Sequence, residues 1–387
     1  MTQRTMQFKK INLEELGATI ELTAFVPEGK TAEWHAMLHV EPRGETFLGQ
    51  YRRIRQAEAH LLGTEEMTGA KPVFKRYFLS DATNQQPIME QDDTCTVSYI
   101  QQPPLDGSKL ALWIYLQRGT EVIPKADRLR STIVRHNDYE HLWTMGLATS
   151  DGSSYGQSEQ LLVDYEQLLE SHEMTLEDNC IRTWFFVRDV DTQYKGLVVA
   201  RWENFALHGL TPETHYIAST GIGGNPADPK ALIQLGCYAL KGFKPEQQHY
   251  LYATTHLNRT SDYGVTFERG TLLKFGDRNH ALISGTASIN NKGEVMHVGD
   301  IEMQTRRMWE NVEKLLEEAG MTMDNAAHLI VYLRDGADYE NVSRMFRERY
   351  PNIPTVFTLA PVCRPTWLIE MECIAIQPAK NDSFNDF

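Results

Sequence analysis

Two glutamates stand two residues apart in the stretch LIEMECIAI, Leu368 to Ile376, shortly after a cysteine, Cys363. Side chains alternate along an extended strand, so Leu368, Glu370, Glu372, Ile374 and Ile376 share one face, and Ile369, Met371, Cys373 and Ala375 share the other. A carboxyl group withdrawn from water and placed beside a like charge binds its proton more tightly. If the face with the two glutamates meets another part of the molecule, one of them keeps a proton near neutral pH, as general-acid chemistry requires. The interspersed leucine and isoleucines argue for such a neighbour. A near-copy of the stretch lies upstream as LIQLGCYAL, Leu232 to Leu240, with Gln234 in the place of Glu370. An amide cannot deliver a proton, so the upstream copy keeps the fold and the downstream copy keeps the reagent.

The elements around these strands repeat as well. The C-terminal part reads as strand ALISGTASI, helix DIEMQTRRMWENVEKLLEEAGMT, strand HLIVYLRD, helix DYENVSRMFRERY, then strands PTVFTLA and WLIEMECIAI. The first helix is signalled by Ile301, Met308, Val312, Leu315, Leu316 and Ala319 at three-four spacing, the second by Tyr339, Val342, Met345 and Phe346. The middle of the chain repeats the order, and QLLESHEMTLEDN pairs closely with KLLEEAGMTMDN. A fainter version runs from HAMLHVEP to KLALWIYLQ. Repeats of this kind predict an α/β (α+β) protein of three stacked β-α-β-α-β-β units, at 1–125, 126–245 and 246–387. Their sheets face inward as a barrel with helices outside, and clefts form between units. Three units in one chain already close such a ring, so the expected state is a pseudo-trimeric monomer.

With 387 residues, 41% of them hydrophobic, the chain can bury a large core. The formal charge of -14 repels phosphate backbones, which argues against nucleic acid as a partner. The opening MTQRTMQFKK lacks a secretory pattern and no stretch approaches a membrane span, so a cytoplasmic location and no membrane contact are expected. Five scattered cysteines fit reduced thiols. Neither CxxC nor HExxH occurs, so no metal is expected. The turn STGIGG has no helix directly after it, and it lacks the context of a dinucleotide cradle; no cofactor is expected.

The segments ISGTASINNKGEV, NVEKLLEEAGMT, VYLRD and IEMECIAI resemble the RidA/YjgF family, whose members form trimers with sites in the clefts between subunits. Over residues 180–376 the chain is similar to the chorismatases, which are built on the same fold: IRTW, ASTGIG, YGVTFERGT, LISGTASI, GEVMHVGD and CRPTWLIEME appear in their order. The two resemblances imply different chemistry. Imine-hydrolysing RidA members grip the substrate with an arginine early in the strand before the last one, where this chain has Val356. Chorismatases place a cysteine ahead of the strand glutamate, as Cys363 stands to Glu370.

The chorismatase resemblance implies cleavage of the enol ether of chorismate, with Glu370 as the general acid that protonates the terminal carbon and Cys363 assisting on the ring. A dicarboxylate needs cations, which the resemblance assigns to Arg182 and Arg269, with Arg364 a further candidate. Tyr216 and Tyr263 are candidate hydrogen-bond donors. Gly270 together with Cys363 is similar to the subgroup that releases 3-hydroxybenzoate and pyruvate, whereas alanine at both marks the subgroup that forms a dihydroxycyclohexadiene carboxylate. The alternatives are a RidA-like imine or enamine deaminase and a small-molecule binder without catalysis.

Overall fold

The structure, a computed structural model, describes residues 6–387 apart from the side chain of Tyr263. Among the described residues eighteen strands form three six-stranded sheets. The first holds β1 (Met6–Leu13), β2 (Ala18–Phe25), β3 (Ala32–Val40), β4 (Lys71–Leu79), β5 (Thr96–Gln101) and β6 (Leu110–Arg118). The second holds β7 (Glu121–Ile123), β8 (Thr132–His136), β9 (Tyr139–Ala148), β10 (Cys180–Val187), β11 (Ala218–Gly223) and β12 (Ile233–Lys241). The third holds β13 (Gln248–Leu251), β14 (Gly270–Lys274), β15 (Arg278–Ala287), β16 (Ala326–Leu333), β17 (Thr355–Leu359) and β18 (Ile369–Pro378). Their orders are β1-β2-β3-β6-β4-β5, β7-β8-β9-β12-β10-β11 and β13-β14-β15-β18-β16-β17, one topology three times. Each unit therefore begins with a pair of strands that the β-α-β-α-β-β reading lacks.

The helices are α1 (Phe47–Leu62), the short α2 (Ala82–Gln85), α3 (Ser154–Ser171), the short α4 (Leu176–Asn179), α5 (Val190–Leu207), α6 (Ile301–Glu318) and α7 (Tyr339–Arg349). Asp300 caps α6 by accepting from the Met303 amide, satisfying one of the donors a helix start leaves open. The stripe of Met308, Val312, Leu315 and Leu316 then packs on β15 and β18. In the first unit the second helix is reduced to α2 and a turn of 3-10 helix.

The three sheets do not merge into one hydrogen-bonded barrel. Isolated bridges tie them at the seams: Gln101 with Asn225, Ile222 with Val362, Ala218 with Glu268, and Pro104 with Thr358. At the seam of the first and third units, Arg278 and His280 of β15 hold Glu33 of β3 at 2.6 and 2.9 Å, all three being buried. Burial pushes the Glu33 carboxyl up, but His280 and Arg278 outweigh it and hold the carboxyl well below the usual carboxylate range.

Register gives the three units a common coordinate. Glu370 pairs with Tyr332, the next-to-last residue of β16; Gln234 pairs with Phe186 of β10; Ala111 pairs with Phe78 of β4. One position on a central strand of each sheet thus carries an acid, an amide and a methyl group.

Candidate active site

Glu370 sits at the seam of the second and third units. Opposite it, β15 slips register against β18 between Ile283 and Thr286, and Ser284 and Gly285 occupy this irregularity. Bulges bend a strand and free its groups for other partners. Here the Gly285 amide donates to Thr220 Oγ1 of β11 at 2.9 Å, and Ser284 Oγ accepts from the Ser219 amide at 2.9 Å, so the bulge fastens the two units together. The missing side chain at Gly285 leaves the space that the Glu370 carboxyl fills.

A narrow pocket with a cavity volume of ≈ 30 Å³ lies against that carboxyl. The second unit contributes Tyr194 and Arg201 of α5 and Ser219 and Gly221 of β11. The third unit contributes Phe267 and Arg269 ahead of β14, Gly285 and Ala287 of β15, and Cys363, Arg364 and Trp367 from the turn before β18. Three guanidinium groups line it. Arg269 donates to Asn258 O and Oδ1 at 3.3 and 3.1 Å and stacks on Phe267. Arg201 donates from Nε to Thr266 Oγ1 at 3.0 Å. Arg364 is exposed and lies over Trp367.

Glu370 is 4% exposed, and its pKa is raised to about 8, chiefly by burial and then by the charge of Glu372, with Arg269 and Arg182 opposing. Glu372, on the same face of β18, is buried beside Glu370 and does not line the pocket. It accepts from Arg182 Nη2 at 2.8 Å, from Trp184 Nε1 at 2.9 Å and from the Thr220 hydroxyl. The Cys363 thiol is pushed up to about 12 by burial and by the Glu370 charge, so it is a neutral thiol at physiological pH. The arrangement offers a proton from a neutral carboxylic acid, a thiol beside it, and a cationic wall suited to an anion.

Four of the residues expected from the sequence meet here: Glu370, Cys363, Arg269 and Arg364. Arg182 does not line the pocket; it is committed to Glu372 and to the Thr183 carbonyl, because β10 is buried along its whole length. Tyr216 packs against Phe205 in the core of the second unit. Gly270 faces Leu282, Ile283 and Leu251 inside the third unit and not the pocket. The side chain of Tyr263 lies outside the described residues. Arg201, Tyr194 and Gly285 were not anticipated. Arg201 had a signal: it interrupts the apolar stripe of Leu197 and Phe205 on α5, where a charge is out of place unless it faces a site.

Among the described residues no group of three or more His, Cys, Asp or Glu is arranged to hold a metal ion, and no helix is long and apolar enough to cross a membrane.

Residues 275–377 match the family model described as Endoribonuclease L-PSP. The 3-aminoacrylate deaminase RutC of Acinetobacter baylyi is 29% identical over 99 residues, 25% of this chain and 79% of the relative. Among solved structures, a crystal structure of a chorismatase superposes with a TM-score of 0.63 at 19% identity, covering 81% of this chain and 96% of that one. The chain therefore carries the chorismatase fold, three RidA-like units in a single polypeptide, with the L-PSP family pattern in the last of them.

Proposed function

We propose that this protein is a chorismatase-like enzyme that cleaves the enolpyruvyl ether of chorismate, with Glu370 as general acid. The observation that carries the reading is the buried Glu370 carboxyl at the wall of a pocket lined by Arg201, Arg269 and Arg364, where burial and the Glu372 charge raise its pKa to about 8. An enol ether is cleaved by putting a proton on its terminal methylene carbon, which becomes a methyl group and leaves an oxocarbenium ion on the ether. Glu370 supplies that proton and becomes a carboxylate beside the new cation, which it stabilises electrostatically. The two substrate carboxylates find their counter-charge in the guanidinium groups, of which Arg201 and Arg269 are buried.

Two outcomes balance. Addition of water to the oxocarbenium carbon and collapse of the hemiketal give pyruvate and a dihydroxycyclohexadiene carboxylate; with no net water, the atoms of chorismate divide into pyruvate and 3-hydroxybenzoate. The resemblance of Cys363 and Gly270 to the 3-hydroxybenzoate-releasing subgroup favours the second; of the two, Cys363 lines the pocket and Gly270 does not. A deaminase reading has the RutC relative in its favour but less from the pocket. Val356, at the position read as that of the substrate-gripping arginine, is buried on β17 and lines a different cleft, beside Tyr339 and His39.

The deciding experiment is incubation of the purified protein with chorismate, with pyruvate followed through lactate dehydrogenase and the aromatic product by chromatography. Pyruvate from the wild type and none from Glu370→Gln is the expected result. Absence of pyruvate from the wild type removes the substrate, and equal pyruvate from both removes the acid.

A further inference from the structure

Arg76 belongs to β4 of the first unit, which contributes no residue to the pocket wall. Its side chain is wholly buried where the three sheets meet. None of its three guanidinium nitrogens has a hydrogen-bond partner among the described residues. The group lies instead over the rings of Trp113, Trp184 and Phe186, at 5.2, 5.1 and 4.9 Å, with Nη1 3.7 Å from Glu372 Oε1. A buried cation without hydrogen bonds is costly to hold, and what offsets the cost here is the Glu372 charge and the aromatic faces.

Trp184 ties this cation to the site. Its ring carries Arg76 and also Arg182, the latter at 4.8 Å, while its indole N–H donates to Glu372. Glu372 therefore answers to all three units: Arg76 from the first, Arg182, Trp184 and Thr220 from the second, and its own strand from the third. Glu372 is in turn the charge immediately behind Glu370.

We propose that Arg76 is a positioning residue for the Glu370 site, fixing Glu372 and part of its charge from the first unit, so that the acid faces a defined and partly neutralised neighbour. The proposal rests on Glu370 being the acid of the site. Other charged or titratable groups share the cluster. Arg182 of β10, Arg269 ahead of β14, Cys363 of the last turn and Tyr332 of β16 face Glu370. His328 of β16 faces Arg76 and Arg182, and burial, His35 and these two guanidinium groups hold it well below its usual range and so uncharged. Tyr332 is held well above its usual range by burial and by Glu372, and is likewise neutral. The fixed charges that remain near Glu372 are Arg76 and Arg182, and removal of either leaves a more negative neighbour for Glu370.

The test needs no substrate. The carbonyl band of the buried carboxylic acid is followed by infrared spectroscopy against pH and assigned by its loss in Glu370→Gln. The wild-type band is expected to disappear with a midpoint near the raised value of about 8. Arg76→Met is expected to move the midpoint up by about one pH unit, a tenfold tighter hold on the proton, and Arg76→Lys to bring most of it back. With Glu372→Gln in place, the further change Arg76→Met is expected to move the midpoint by less than a third of that shift. This comparison also decides the matter if Arg76→Met alone does not fold, because both buried charges are then absent. An unmoved midpoint in folded Arg76→Met, or a full shift in the Glu372→Gln background, overturns the proposal. If the midpoints move as expected while chorismate is untouched, the substrate assignment fails and the role of Arg76 stands.

Discussion

Gly285 and Glu370 face each other across the β15–β18 seam so closely that a Cβ on Gly285 would overlap Glu370 Oε1. The glycine has no positive φ, so its importance is volume and not backbone freedom. Gly285→Ala should leave the fold intact and push the carboxyl out of its seat. Turnover of chorismate is expected to fall tenfold or more, about 1.4 kcal/mol in the barrier, with KM changed less than kcat; steady-state kinetics of the folded variant measure it.

Glu370 also predicts the pH dependence of both activity and stability. The protonated form is the reagent, so kcat/KM should fall as pH rises through about 8. In the unfolded chain the same carboxyl ionises near its ordinary value of 4.5. Between those values the folded state binds the extra proton, so stability is lost as pH rises across that window, on the order of 5 kcal/mol in total. Glu370→Gln should therefore melt at the same temperature as the wild type below pH 4.5, and increasingly above it as pH climbs to about 8, as thermal unfolding at a series of pH values would show.

Gln234 occupies the position of Glu370 in the second unit, is 4% exposed, and donates to Ser98 Oγ of the first unit at 2.7 Å. Gln234→Glu should not create a second active cleft, because this side chain is buried and is not part of the arginine-lined pocket. It should destabilise the protein by about 2–4 kcal/mol at neutral pH. The deficit should shrink on acidification, as the new carboxyl takes up its proton; denaturant titrations at two pH values test this.

Cys363 lines the pocket but holds its proton up to about 12. Iodoacetamide should therefore modify it at pH 8 at least tenfold more slowly than a free cysteine, and the rate should increase in Glu370→Gln, which removes the opposing charge. Mass spectrometry of the peptide would follow both. Cys363→Ala should retain pyruvate release and shift the aromatic product toward the dihydroxycyclohexadiene carboxylate, read by chromatography.

Much of this molecule is legible in its sequence because strand alternation reports which side chains share a face. The apolar residues beside Glu370 and Glu372 demanded a neighbouring unit, and the neighbours are Arg182, Trp184 and Thr220. Alternation does not report depth. All eight positions of β10 are buried, so alternation could not tell that Arg182, expected to hold a substrate carboxylate, is committed to Glu372. The leading strands escaped notice for a different reason: β1 alternates between half-buried and exposed positions, and β7 has three residues. Arg201 was readable as a charge in an apolar stripe, whereas Gly285 matters through a contact with a strand far away in the chain, which no local pattern encodes.

The triad of Glu370, Gln234 and Ala111 at one register position has an evolutionary reading. A ring of identical subunits must alter every seam whenever it alters one, since a single gene writes them all. Fusion of three copies into one gene releases that constraint: each copy drifts on its own, a lone reactive group survives without two redundant sisters, and the retired seams become free to specialise in holding the ring together.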